Sequence, residues 1–280
     1  MEKITDWTKL WRELVERQER GRAKNREKES GKDSWIGKAR SFDASVRQRW
    51  ARPDPHRDFI LSRLAAHPGA TVLDIGAGTG AWAILMARQA EKVTAIEPSP
   101  EMIRVMSENL EKEGIDNVEI IQGSWPEIGA TPHDFSLCSH AMYGAPDLQD
   151  FIRAMTQATR QTCFMLLRAP NHDGLMAKAA MRIWGQPNDS PNFQIAHGVM
   201  LQTGLYPNVL MEDPGAWTPW TNDNLEEALS DMKRRFGLSG STDHDDFLSD
   251  LLKSGLTFDR DHYTWPVEVR TALVYWKISP

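Results

Sequence analysis

The sequence predicts an α/β fold, a doubly wound and mostly parallel sheet with helices on both faces and a helical extension at the N-terminus. Three observations carry this. Apolar, β-prone runs at 71–75, 93–97, 118–121, 134–139 and 162–168 alternate with helical patterns at 81–90, 100–113 and 147–159, and parallel neighbours need crossovers of that length. The first run, TVLDI, opens without a spacer into Gly76, Gly78 and Gly80, after which a helical pattern begins at Ala81. The run VRTALVYWKI at 269–278 suits a late strand that enters the same sheet.

Composition narrows the setting. The chain has 280 residues with 33 Lys/Arg against 39 Asp/Glu, enough length for a sizeable core. Charge is uneven: residues 1–57 hold 16 basic and 10 acidic residues (net +6), and the rest hold 17 and 29 (net −12). A basic head this mixed with acids is weaker and less clustered than nucleic-acid binding calls for. The two cysteines, Cys138 and Cys163, lie in apolar runs without metal-ligand spacing, so they read as reduced core residues. No N-terminal apolar region and no run near ~18 apolar residues is present, which points to a soluble, cytoplasmic protein with no membrane role.

In chain order, residues 5–20 place Trp7, Leu10, Trp11, Leu14 and Val15 at helical spacing, an amphipathic helix whose stripe needs cover. The body can supply it, or a second copy in a homodimer. Residues 19–34 are polar and charged and suggest a link. Trp35, Ala39, Phe42 and Val46 then fall on one face of a second helix, and Pro53-Asp54-Pro55 starts a third that ends near Pro68-Gly69. Residues 1–57 therefore form a helical extension or lid, and 58–280 the main domain. After the fifth strand the alternation lapses. A helix at 175–184 leads into a Pro/Asn/Gly-rich stretch to about residue 222, then helices at 223–236 and 244–254, so 171–256 reads mainly as an insertion.

The glycine turn carries the first chemical argument. Glycine accepts φ > 0 and lets a ligand lie against the main chain, while the new helix offers free N–H groups. That is a nucleotide-like cofactor site, and G-x-G-x-x-A alone would also suit a dinucleotide. Ligands of such sheets bind at the carboxyl ends of the strands. Those ends carry Glu97, able to accept from two ribose hydroxyls, then Gly123-Ser124-Trp125, then His140.

With LDIGAGTG at 73–80, AIEPSPEMI at 95–103 and SHAMYGAPDL at 139–148, the chain resembles the class I S-adenosylmethionine-dependent methyltransferases over residues 71–168. The last segment looks like their small-molecule branch. The resemblance implies a seven-stranded Rossmann-like sheet and S-adenosyl-L-methionine as cofactor. It implies that Gly76, Ala77 and Gly78 meet the methionine part, that Glu97 takes the ribose, and that Pro98 and Met102 flank the adenine, Met102 being equally suited to the core. Ser124 stands where the family often has an acid, which shifts the adenine contact toward the ring of Trp125; core packing is that ring's other reading. His140 borders cofactor and acceptor, as a general base or as a hydrogen-bonded wall, and Tyr143 shares the ambiguity.

The acceptor site should come from the tryptophan-rich segments outside the shared core. Trp35, Phe42 and Trp50 would line a lid, and Trp184, Phe193, His197, Tyr206 and Trp217 the opposite wall, an aromatic setting for a small organic acceptor. Arg40, Arg47 and Arg168 are candidates to meet an acid. No residue set has metal-ligand spacing and no nucleophile motif appears; direct in-line methyl transfer needs neither. The competing readings are an RNA or protein methyltransferase, an NAD(P)-dependent oxidoreductase, and a non-catalytic cofactor-binding protein.

Overall fold

The computed structural model describes residues 5–26, 33–212 and 217–278. Three helices lead: α1 (Trp7–Arg26), α2 (Ala39–Trp50) and α3 (Pro55–Ala65). The alternating part runs β1 (Thr71–Ile75), α4 (Ala81–Ala87), β2 (Lys92–Glu97), α5 (Pro100–Glu113), β3 (Val118–Gln122), β4 (His133–Ser139), α6 (Leu148–Gln157) and β5 (Thr159–Pro170). Then follow α7 (Leu175–Trp184), α8 (Phe193–Gln202), β6 (Asn208–Met211), β7 (Thr221–Asn222), α9 (Leu225–Phe236), α10 (Asp245–Gly255), β8 (Thr257–Asp259), β9 (His262–Thr264) and β10 (Val269–Lys277).

The starts and stops follow side-chain chemistry. Asp54 accepts from the N–H groups of His56 and Arg57 with Pro55 in the first helical position, and Ser99 accepts from Met102 N, which satisfies amide donors the helix leaves free. Gly114 ends α5 in the left-handed region, at φ 65°. The seven-stranded sheet has the order β3-β2-β1-β4-β5-β10-β6. Pairings β1–β2, β1–β4, β2–β3 and β4–β5 are parallel, and β10 runs antiparallel to both β5 and β6. The order reverses between β1 and β4, so the carboxyl ends of these two strands diverge into a crevice.

Each face of the sheet has its own core. On one, α1, α6 and α8 cover Leu73, Ile75, Met165 and Leu167; on the other, α3, α4 and α5 cover Val72, Val93, Phe135 and Phe164. The stripe of α1 is covered by the chain itself: Trp11 is fully buried and donates from its indole N–H to Ala145 O at 2.8 Å, and Leu14 and Val15 are buried beside it. The need for cover that had pointed to a homodimer is therefore met within one chain. Cys138 and Cys163 are buried free thiols in the same core.

Two features depart from expectation. The stretch before residue 222 is more regular than its composition suggested: Asn192 caps α8 by accepting from Ile195 N, and β6 supplies the outermost strand of the main sheet. A second, three-stranded sheet in the order β7-β9-β8 lies within 221–264; its strands of two or three residues give too short an alternation to be read locally. Among the described residues no helix is long and apolar enough to cross a membrane.

Candidate active site

The turn after β1 is fixed by geometry that only glycine meets. Gly76 and Gly78 have φ of 71° and 58°, and the N–H groups of Gly76 and Ala77 both donate to Ile96 O at 2.8 and 3.0 Å. A Cβ on Gly76 would lie 2.2 Å from that of Ala141, so the β1 turn and the segment after β4 touch with only the Ala141 methyl between them. Between these segments and α2 opens a cavity of about 320 Å³. Its floor is Gly76 to Thr79, its roof Phe42, Val46, Arg49 and Trp50, and its far wall His140, Arg168, Trp217 and Thr271.

Of the carboxylates near the glycine floor, Asp74 lines the cavity, whereas Glu97 and Asp33 are not among its lining residues. Glu97 is buried, with one oxygen accepting from Gly78 N at 2.8 Å and the other from Ser99 N at 3.0 Å. Burial raises its pKa, and these two hydrogen bonds oppose the rise. Asp33 sits close by, accepting from Ser99 Oγ at 2.6 Å and Glu101 N at 3.1 Å. Asp74 is 1% exposed, and its Oδ2 has no hydrogen-bond partner among the described residues. Burial first, and then the charge of Glu97, push its pKa up to about 7.

The far wall is a relay. Tyr143 Oη accepts from Arg168 N at 2.6 Å and lies 3.1 Å from His140 Nδ1. We assign the phenol proton to this contact with Nδ1, which leaves the imidazole proton on Nε2. Burial, then the charges of Arg168 and Arg49, lower the His140 pKa to about 3. His140 adopts φ 57°, a left-handed conformation that costs a non-glycine residue on the order of 1 kcal/mol. It is held there by its N–H bond to Leu166 O at 3.0 Å.

A family model described as a methyltransferase domain matches residues 66–208, just over half of the chain. The chain belongs to the methyltransferase-domain family. It is of the class I, S-adenosylmethionine-dependent kind. The methyltransferase is 32% identical over 116 residues to a probable cobalt-precorrin-6B C(15)-methyltransferase (decarboxylating) of Sulfolobus acidocaldarius, covering 40% of this chain and 60% of that protein. It is 30% identical over 159 residues to the magnesium-protoporphyrin O-methyltransferase of Rhodobacter capsulatus, covering 49% and 70%. The chain thus spans less than two thirds of the first of these relatives. In fold it is similar to phosphoethanolamine N-methyltransferase 2 of Haemonchus contortus, with a TM-score of 0.51 at 18% identity over 80% of this chain and 52% of that one. It is also similar to the YcgJ protein of Bacillus subtilis, at 0.50 and 15% over 81% and 100%.

The residues of the methyltransferase fit its cofactor. The unpartnered Asp74 Oδ2 beside the glycine floor suits the ammonium of the methionine part, and each Glu97 oxygen, accepting one hydrogen bond, retains capacity for a ribose hydroxyl. Gly76, Ala77, Gly78 and His140 line the cavity together with Phe42. Pro98 follows Glu97 directly, and Ser124 is exposed at the end of the third parallel strand.

Other expected site residues lie elsewhere. Trp125 is 8% exposed, inside the core under α1 and α6 with its N–H donating to Phe151 O at 3.3 Å, so its ring faces core side chains rather than an adenine. Met102 is 2% exposed and packs with Ala39, Val105 and Trp35, which makes Trp35 a seal between α2 and α5 rather than part of the cavity wall. His197 belongs to the surface where α8 meets Trp7, and Tyr206 is 79% exposed; neither lines the cavity. Tyr143 stands behind His140, not at the cavity surface. Arg40 and Arg47 pair with Glu108 and Asp43 at 2.9 and 2.8 Å, which removes them as acceptor ligands. Sequence reasoning missed Asp33, Arg49, His56 and Glu212. Asp33 and Arg49 sit among many similar charges with nothing local to single them out.

The depressed pKa of His140 disqualifies it as an efficient base near neutrality, since base strength falls with the pKa of the conjugate acid. Its ring is expected to stay neutral down to pH 5, with Nδ1 unprotonated and Nε2 protonated in nitrogen-15 NMR spectra. Titration near pH 6.5, or a protonated Nδ1, would refute the relay.

Proposed function

We propose that this methyltransferase transfers the methyl group of S-adenosylmethionine to a small organic acceptor by direct in-line displacement. The observation that carries this reading is the cavity of about 320 Å³ in which the glycine floor meets a wall of His140, Arg168 and Trp217 beneath the roof of α2. A cavity roofed by a helix of the same chain suits a small molecule better than a polymer. The relatives named for cobalt-precorrin-6B and magnesium protoporphyrin agree with an organic acceptor.

When bound, the cofactor supplies a methyl group already activated on a sulfonium. The chain's part is positioning and exclusion of water. Glu97 and the glycine floor fix the donor end, Phe42 and Trp50 cover it, and the His140–Tyr143–Arg168 relay holds a rigid, neutral hydrogen-bond donor on the acceptor side.

Calorimetry with S-adenosylhomocysteine and with NAD tests the cofactor, and transfer of labelled methyl to small-molecule, RNA and protein fractions tests the acceptor. Glu97→Ala is expected to weaken S-adenosylhomocysteine binding roughly 100-fold, through lost hydroxyl bonds and the freed Gly78 and Ser99 amides. Preference for NAD, or label found in RNA or protein alone, would reject the reading.

A further inference from the structure

Among the described residues, the acceptor side of the cavity carries two cations without ion-pair partners. Arg168 leaves β5 with its Nε buried and unpartnered, its guanidinium 4.6 Å above the Tyr143 ring. Arg49 lies 5.3 Å from the Trp217 ring, and Trp217 meets His140 edge-on at 6.0 Å. Among the described residues neither arginine has a carboxylate within ion-pair distance, whereas Arg40 and Arg47 on the same helix as Arg49 both do. Besides Asp74, two acids line the cavity, and both are engaged with main chain: Asp54 caps α3, and Glu212 accepts from Thr271 N at 2.8 Å. The buried His56 ring is likewise tied to Leu210 O. A guanidinium left without a partner at the edge of a cavity is poised for a planar anion.

The same wall lacks a base. His140 has Nδ1 filled by Tyr143, and the charges of Arg168 and Arg49 disfavour a further positive charge on the ring. An acceptor bound here has no group on this wall to take its proton, so it should arrive ionised. Trp217 and Trp50 offer flat apolar surfaces beside the cations, and the charge of Glu212 in the same lining favours one negative charge over two.

We propose that the acceptor is a planar monoanionic carboxylic acid, its carboxylate held by Arg168 and Arg49 and its plane set against Trp217. A carboxylate oxygen then takes the methyl group as the sulfonium S–CH3 bond breaks, giving a methyl ester and S-adenosylhomocysteine with no proton to remove. This rests on the methyltransferase reading above and names its substrate class.

The test compares benzoate and 1-naphthoate with the isosteric benzamide and 1-naphthamide, by tryptophan fluorescence and calorimetry on the full chain, with and without S-adenosylhomocysteine. Each acid is expected to bind roughly ten- to a hundredfold more tightly than its amide, the worth of charge-assisted hydrogen bonds, with the advantage shrinking as salt rises. In Arg168→Gln and Arg49→Gln the advantage should fall, and in the double variant it should vanish while amide binding persists; persistent amide binding also shows that the cavity still folds. Equal binding of acid and amide to the unsubstituted protein would overturn the proposal, as would a preference that survives in the double variant. Failure to bind S-adenosylhomocysteine would instead count against the methyltransferase reading, so the two failures separate.

Discussion

Asp74→Asn is expected to make the free protein more stable and its cofactor binding weaker. Asp74 is 1% exposed with a pKa pushed up to about 7, above the ~3.9 of an unfolded chain. An acid whose folded pKa is raised costs nothing while both states are protonated, becomes steadily more costly as pH rises from the unfolded value to the folded one, and adds no further cost above that. The gain from asparagine should therefore be absent below about pH 4, grow between pH 4 and 7, and level off above, at an order of 2–4 kcal/mol. Thermal melts of both proteins across that range check it. A buried carboxylate with one unpartnered oxygen persists where function requires it, and the requirement we propose here is the ammonium of the methionine part. Because that cation draws the Asp74 pKa down, S-adenosylhomocysteine should bind with proton release near pH 7, its affinity falling as pH drops below 7. A variant that melts lower than the parent at pH 8, or that binds S-adenosylhomocysteine as well, would show that Asp74 is structural.

Gly76→Ala is expected to damage both fold and site. At φ 71° the new side chain meets left-handed strain, and its Cβ would lie 2.2 Å from that of Ala141. Together these should cost ~2–5 kcal/mol. The readout extends beyond stability, because Ala141 follows His140, and relief of the clash moves the relay. Where enough protein folds, S-adenosylhomocysteine affinity should fall and the His140 ring signals should shift. A Gly114→Ala variant provides the contrast: φ is 65° but nothing lies within 4 Å of the added Cβ, so it should lose only ~1 kcal/mol and leave the site unchanged.

Much of the fold was legible because its signals are local. The alternation of apolar runs with helical patterns specifies crossovers, Asp54, Ser99 and Gly114 mark helix ends by their own chemistry, and glycines that must take positive φ announce the turn. The segment before residue 222 was read as irregular because α8 is buried on several sides, with Ile195, Ala196, Val199 and Met200 all inside, and so lacks a clear amphipathic stripe. Glu97 stands out because it ends a strand at the sheet's carboxyl side, where a ligand approaches.

The acceptor side was not legible, since its identity depends on partners far away in sequence. Arg47 and Arg49 are two residues apart on α2, so they point to opposite sides of the helix. One binds Asp43 and Asn109, and the other enters the cavity. Trp125 and Trp217 look alike as tryptophans after strands or in loops, yet one is core and the other is wall. By itself the sequence determined the five parallel strands and the glycine floor, because short-range sterics and periodicity dictate them, and its resemblance to a known family implied the cofactor class. Only the tertiary structure decided which cations lack a partner among the described residues, which aromatics face the cavity and which groups surround the His140 ring. Those properties arise from burial and from charges that meet only once the chain is folded.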